Sequence, residues 1–183
     1  MRLSIRHKAL FTLALWAGSS ALAIAHPLHG WPDFSAALAH PFTGADHLLA
    51  MLLVGICAAL SGKGSRWVAP LGFTLALIGG ALAGAAGWSW PWVEIGIAFS
   101  LVLLGGLCFV GARIGAPAAA LCAALAGLGH GYAHGLELTG QGAALAGMLL
   151  GALLLQALGL VATVAALRGA PTLRAGACLP TGR

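Results

Sequence analysis

Six apolar runs separated by short polar links account for nearly the whole chain. The first, from Ala9 to about Ile24, follows Arg2, Arg6 and Lys8 and ends in Ala23-Ile24-Ala25, with the small residues at −3 and −1 that signal peptidase requires. Residues 1–25 thus have the form of a secretory signal peptide, and cleavage after Ala25 starts the mature chain at His26. An uncleaved signal anchor is the alternative, and both versions leave residue 26 on the outer side. Five further runs, at about 36–60, 67–87, 92–112, 116–137 and 142–167, are each long enough to span the hydrocarbon core. The pattern predicts an all-α fold: a polytopic membrane helix bundle with a signal peptide plus about five transmembrane helices, six if the signal is kept. The transmembrane domain is expected over 26–167. A short cytoplasmic tail is expected over 168–183, where Pro171, Pro180 and three glycines argue against ordered structure.

Basic residues orient the bundle, because Lys and Arg stay on the cytoplasmic side. Lys63 and Arg66 follow the first of the five runs, Arg113 the third, and Arg168, Arg174 and Arg183 the fifth; the links after the second and fourth runs have none. The alternation predicts an external mature N-terminus and a cytoplasmic C-terminus in a bacterial inner membrane. Trp88, Trp90 and Trp92 gather at one outer boundary and Trp67 at an inner one, as interfacial anchors do.

Composition supports this reading and removes several functions. The chain has 183 residues, is 60% hydrophobic and 7% charged, and has a mean hydropathy of +0.97. A soluble domain is ordinarily about 25% charged, so a soluble enzyme is excluded. No length remains for a nucleotide-binding domain, there is no GxxxxGK[ST] run, and the chain is not expected to be an enzyme or to carry its own ATPase. The net charge of +5 is spread over single basic residues without interleaved aromatics, which argues against nucleic acid. Twenty-eight glycines suit close helix packing in lipid. Cys57, Cys108 and Cys122 fall in apolar runs and Cys178 in the tail; with no CxxC, neither a disulfide nor a thiolate metal centre is expected.

The scarce polar residues carry the candidate chemistry. All four acidic residues and the six histidines of the mature chain fall outside the membrane or in its outer half once the bundle is oriented. Ionisable groups at that depth cost a few kcal/mol each and persist where they are paired, hydrated or coordinating. His40 and His47, seven apart, share a face over about two helical turns, with Asp46 beside His47. His130, His134 and Glu137 follow an i, i+4, i+7 pattern that aligns two imidazoles and a carboxylate. Two such faces suit nickel, cobalt, zinc or iron, although a lone His–carboxylate pair is commonly an interhelical hydrogen bond. His26 and His29 add an N-terminal capture site if the signal is cleaved, Asp33 lies in the external segment, and Glu94 lies near the outer end of the third run. Met51, one turn beyond His47, reads as packing before it reads as a soft ligand. Pro41 is expected in the first turn of its helix. Gly44, Gly55, Gly127, Gly129, Gly131 and Gly135 surround both clusters and either let helices touch or unwind them toward a cavity. In the inner half only Ser61, Thr74, Ser100, Thr163 and Gln156 offer side-chain oxygen, so no polar relay is evident there.

The segment His40-Pro41-Phe42-Thr43-Gly44-Ala45-Asp46-His47-Leu48-Leu49-Ala50-Met51 resembles the HPxxGxDHLLAM signature of the HupE/UreJ family of small bacterial nickel and cobalt permeases. The segment His130-Gly131-Tyr132-Ala133-His134-Gly135-Leu136-Glu137 resembles that family's second His-rich motif. The resemblance implies a secondary permease supplying nickel for hydrogenase or urease maturation, with His40, Asp46, His47, His130, His134 and Glu137 as metal-handling residues. Less direct candidates are His26, His29 and Glu94. The expected partners are a divalent ion as substrate, Ni²⁺ or Co²⁺, the lipid bilayer, and a functional link to maturation proteins; a homo-oligomer is compatible. No prosthetic group is expected. The alternatives are a membrane haem or electron-transfer subunit with paired histidines, and an intramembrane protease, for which HExxH and GxSxG are missing.

Overall fold

A computed structural model describes residues 33–61, 64–110, 115–137 and 142–169. The expected signal peptide, His26, His29, Lys63, Arg113, Arg174, Cys178 and Arg183 lie outside the described residues. The described residues form six helices and no strand: α1 Phe34–Thr43, α2 Ala45–Leu60, α3 Val68–Ala85, α4 Val93–Val110, α5 Ala116–Glu137 and α6 Gly142–Gly169. Helices α3, α4 and α6 are each long and apolar enough to cross a membrane, and α1 with α2 reaches that length and apolarity only as a bent pair, the form of a broken span or a re-entrant loop. Helix α5 has 22 residues, yet its histidines, Glu137 and glycines dilute its apolar character. Arg168, expected to open the tail, lies in the last turn of α6.

The first of the five runs departs most from expectation. A single span over 36–60 is replaced by two helices that meet at 81° across Gly44. Asp33 caps α1 by accepting from the Ala36 N–H at 2.9 Å, and the Ser35 hydroxyl donates to the same oxygen at 2.7 Å. Pro41 lies in the last turn of α1, not its first, where it cannot supply the N–H that the Ala37 carbonyl would accept. Gly44 is extended (φ −82°, ψ 115°) and closes both helices, donating to the His40 carbonyl at 3.1 Å and accepting from the Leu48 N–H at 2.8 Å.

Packing is inverted relative to a soluble protein. Leu71, Leu75, Leu82, Phe99, Leu121 and Val161 are exposed, whereas Ala37, Ala50, Ala58, Ala123, Ala126, Ala144 and Ala152 are fully buried. Lipid tails solvate leucine as well as a protein core does, so close contact between small residues decides the packing. Helices α3 and α5 share the most extensive contact, with α1 and α2 on α6, and α4 against α5 and α2. A methyl group added at Gly127, Gly131 or Gly135 of α5 would overlap the carbonyl of Phe73, Leu77 or Ala81 on α3, and one at Gly80 or Gly84 of α3 would overlap backbone of α5. The glycines therefore serve contact, and α5 stays an unbroken helix through both of its histidines. Met51 is fully buried within the apolar core, in the packing role expected of it.

Candidate metal centre

The elbow at Gly44 places the end of α1 and the start of α2 against the last turns of α5. Each segment brings imidazoles: His40 from α1, His47 from α2, His130 and His134 from α5. The His47 ring lies 4.2 Å from that of His134, 4.9 Å from that of His130 and 5.2 Å from that of His40, centroid to centroid, and His40 lies 5.1 Å from His134. One ligand atom each of His40, His47 and His134 falls within 4.8 Å of the others. Two nitrogens bound to one ion at about 2.1 Å lie at most about 4.2 Å apart, so small ring rotations bring the three onto a common cation. His47, His130 and His134 are buried, and half-buried His40 forms the accessible edge.

Two neighbours set ring orientation. Asp46 Oδ1 accepts from the His47 backbone N–H at 2.9 Å and pairs with His47 Nδ1 at 2.8 Å. A proton on Nδ1 donating to this carboxylate leaves the lone pair on Nε2, an arrangement that also raises ligand basicity. Asp46 lies in the first turn of α2, where the helix dipole favours a negative charge. Its other oxygen, Oδ2, is buried and has no hydrogen-bond partner among the described residues. On the far side, Ser100 donates to the Ile97 carbonyl at 2.7 Å and pairs with His130 Nε2 at 3.0 Å. Because the hydroxyl proton goes to Ile97, His130 Nε2 is the donor and Nδ1 carries the lone pair.

Several expectations change. His40 and His47 do meet, but through the elbow and not as two turns of one helix. His130 and His134 share a face as their spacing predicts, since both rings pack on His47. Glu137, in the same heptad pattern, is buried at the end of α5 but supplies no atom to the convergent trio. Glu94 is exposed in the first turn of α4 and is likewise outside it. Asp33 is engaged as the α1 cap, where the Ala36 N–H and then the Ser35 hydroxyl hold its carboxyl below the usual value. Ser100, placed in the inner half from its position in the run, lies at the depth of the histidines.

Sequence reasoning also missed Tyr132, the one tyrosine of the chain. Its hydroxyl donates to the Trp88 carbonyl and accepts from the Trp90 N–H at 2.9 Å, tying the α3–α4 link to α5 between the two histidines. Trp90 packs on that ring at 5.4 Å and is a latch, while Trp88, Trp92 and Trp67 stay exposed in the manner of anchors.

Comparison with known proteins shows the family. The family model described as HupE / UreJ protein matches residues 13–181. The chain belongs to the HupE/UreJ family. Protein HupE of Rhizobium leguminosarum bv. viciae is 38% identical over 128 residues, which cover 68% of this chain and 67% of that protein. No solved structure matches. HupE/UreJ proteins are associated with nickel and cobalt transport for hydrogenase and urease, and this member is a multi-pass helical membrane protein.

Proposed function

We propose that this chain is a secondary, non-ATPase permease that imports a divalent transition metal, Ni²⁺ before Co²⁺, across a bacterial inner membrane for hydrogenase or urease maturation. The convergence of His40, His47 and His134 from three helical segments within 4.8 Å carries this reading. Three neutral imidazoles suit a borderline divalent ion. A buried Asp46 carboxylate with one oxygen unpartnered favours a cation beside it, since a buried charge needs an opposite one.

In this scheme the external face is the one bearing the elbow and the α3–α4 link, as the basic links demand. His40, at the accessible edge, meets the hydrated ion first. Its waters are exchanged for the Nε2 of His47, backed by Asp46, and for His134. His130, held by Ser100 with Nδ1 carrying the lone pair, offers the next nitrogen beyond His47. Signal cleavage would add His26 and His29 as an outer capture site, and Glu94 and Glu137 contribute negative potential near the entrance. The haem alternative is disfavoured by packing, because rings 4.2–5.2 Å apart leave no slot for a porphyrin plane between two imidazoles.

Radiolabelled nickel uptake by cells producing the chain, or its His47→Ala or Asp46→Ala variant, tests the proposal, with cobalt and zinc as competitors. Wild-type cells are expected to accumulate nickel and both variants to lose uptake. Uptake no higher than in vector cells would sink the permease, and unchanged uptake in both variants would sink the site.

A further inference from the structure

The histidine centre accounts for one end of the bundle and leaves the inner end, where an imported ion must leave, with no histidine or carboxylate. Asp33, Asp46, Glu94 and Glu137 are the only acidic residues in the chain, and none belongs to that end. The fold nevertheless gathers ionisable groups there that sequence spacing hid. Cys57 of α2 and Cys108 of α4, 51 positions apart, place their sulfurs 2.7 Å from each other. Cys57 Sγ donates to the Leu104 carbonyl at 3.7 Å and Cys108 Sγ to the Leu53 carbonyl at 3.4 Å, so each thiol rests on the other's helix. Cys122 of α5 packs against the same apolar core as Cys57, and all three cysteines are free.

Helices α2 and α5 also carry His47, His130 and His134, and α4 carries Ser100 against His130, so helical rise measures the separation along each. Cys57 follows His47 by ten residues, Cys108 follows Ser100 by eight, and Cys122 precedes His130 by eight. At about 1.5 Å per residue the sulfurs lie about 12–15 Å along the bundle from the imidazoles. Buried Met51, Ala123 and Ala126 lie between the two levels.

We propose that Cys57 and Cys108 form a second metal station, a thiolate site that receives the divalent ion on its way out of the histidine centre. The proposal rests on the permease reading for its place in transport. Two S–H bonds break and two metal–sulfur bonds form, and the two protons pass to water at the inner face by way of part-buried Cys108. Two thiolates and one divalent ion sum to zero charge, the state that an apolar surrounding tolerates best. At about 2.3 Å per metal–sulfur bond the sulfurs stand about 3.8 Å apart, so Cys108 must rotate outward to admit the ion.

Co²⁺ reports sulfur ligation directly, through near-ultraviolet sulfur-to-metal charge transfer. The full chain carrying Cys178→Ser, purified in detergent and kept reduced with a phosphine, is titrated with CoCl₂. The charge-transfer band is expected in this background and in His47→Ala. It is expected to vanish in Cys57→Ala with Cys108→Ala, with Co²⁺ stoichiometry falling from two to one and cellular uptake at least tenfold slower. The remaining equivalent shows that the double variant is folded, and Cys108→Ser at the part-buried position repeats the test should the double variant not fold. A band absent from the background protein, or persisting in the double variant, overturns the station. Metal uptake without the band overturns the station alone, whereas the band without uptake supports the station and overturns the permease.

Discussion

Replacing Asp46 with asparagine separates the charge of the carboxylate from its hydrogen bonds. In the structure one oxygen, Oδ1, serves both the His47 N–H at 2.9 Å and His47 Nδ1 at 2.8 Å. An amide oxygen at the same place accepts both, so backbone and ring position survive. What is lost is the difference between a charge-assisted bond, about 1.5–3 kcal/mol, and a neutral one, about 0.5–1.5 kcal/mol. That difference of about 1–1.5 kcal/mol corresponds to roughly tenfold weaker Ni²⁺ binding. Asp46→Ala removes both acceptors and frees the His47 ring to take the other tautomer, which adds a similar loss and totals roughly a hundredfold, the top of the range for supports of metal-bound histidine. Isothermal titration of the purified chain with NiCl₂, with His47→Ala as reference, reads both values. Asparagine binding within twofold of wild type, or asparagine and alanine falling together, would refute the charge argument.

Three further outcomes follow from the same geometry. Gly131→Ala drives a methyl into the Leu77 carbonyl, and because backbone cannot rotate away, a loss of about 3 kcal/mol is expected at the α3–α5 contact, read as a lower thermal midpoint in detergent. Gly44→Ala behaves oppositely: its φ of −82° accepts alanine without strain, but the new Cβ lies 3.2 Å from His47 Nδ1. Thermal stability should therefore hold while Ni²⁺ affinity drops several-fold; an unchanged affinity would show that the elbow does not position His47. Lastly, imidazoles must be neutral to coordinate, so protons compete with metal for the ring nitrogens. Uptake should fall as the external pH is lowered, measured at fixed free Ni²⁺; a profile that stays flat on acidification would argue against imidazole ligands.

Particular residues show where each kind of information lies. Runs of apolar residues sufficed for a helical membrane bundle, because the bilayer imposes one requirement on every span. Helix periodicity sufficed to put His130 and His134 on one face, since both belong to a single unbroken helix. The joining of the two histidine motifs across 80 or more residues needed the fold, as did the elbow at Gly44, where an ordinary backbone conformation ends one helix and starts another without any sequence break in hydrophobicity. Ser100 and Tyr132 looked like isolated hydroxyls in apolar runs; only their pairing with His130 and with the Trp88–Trp90 link shows their use. Cys57 and Cys108 likewise looked inert. A sequence determines local period and solvent preference, and so it settled which residues are scarce, polar and costly to bury. Tertiary structure decided which of them meet, because glycine-lined contacts between α3 and α5 and between α6 and its neighbours set helix register, and register cannot be read from any one helix.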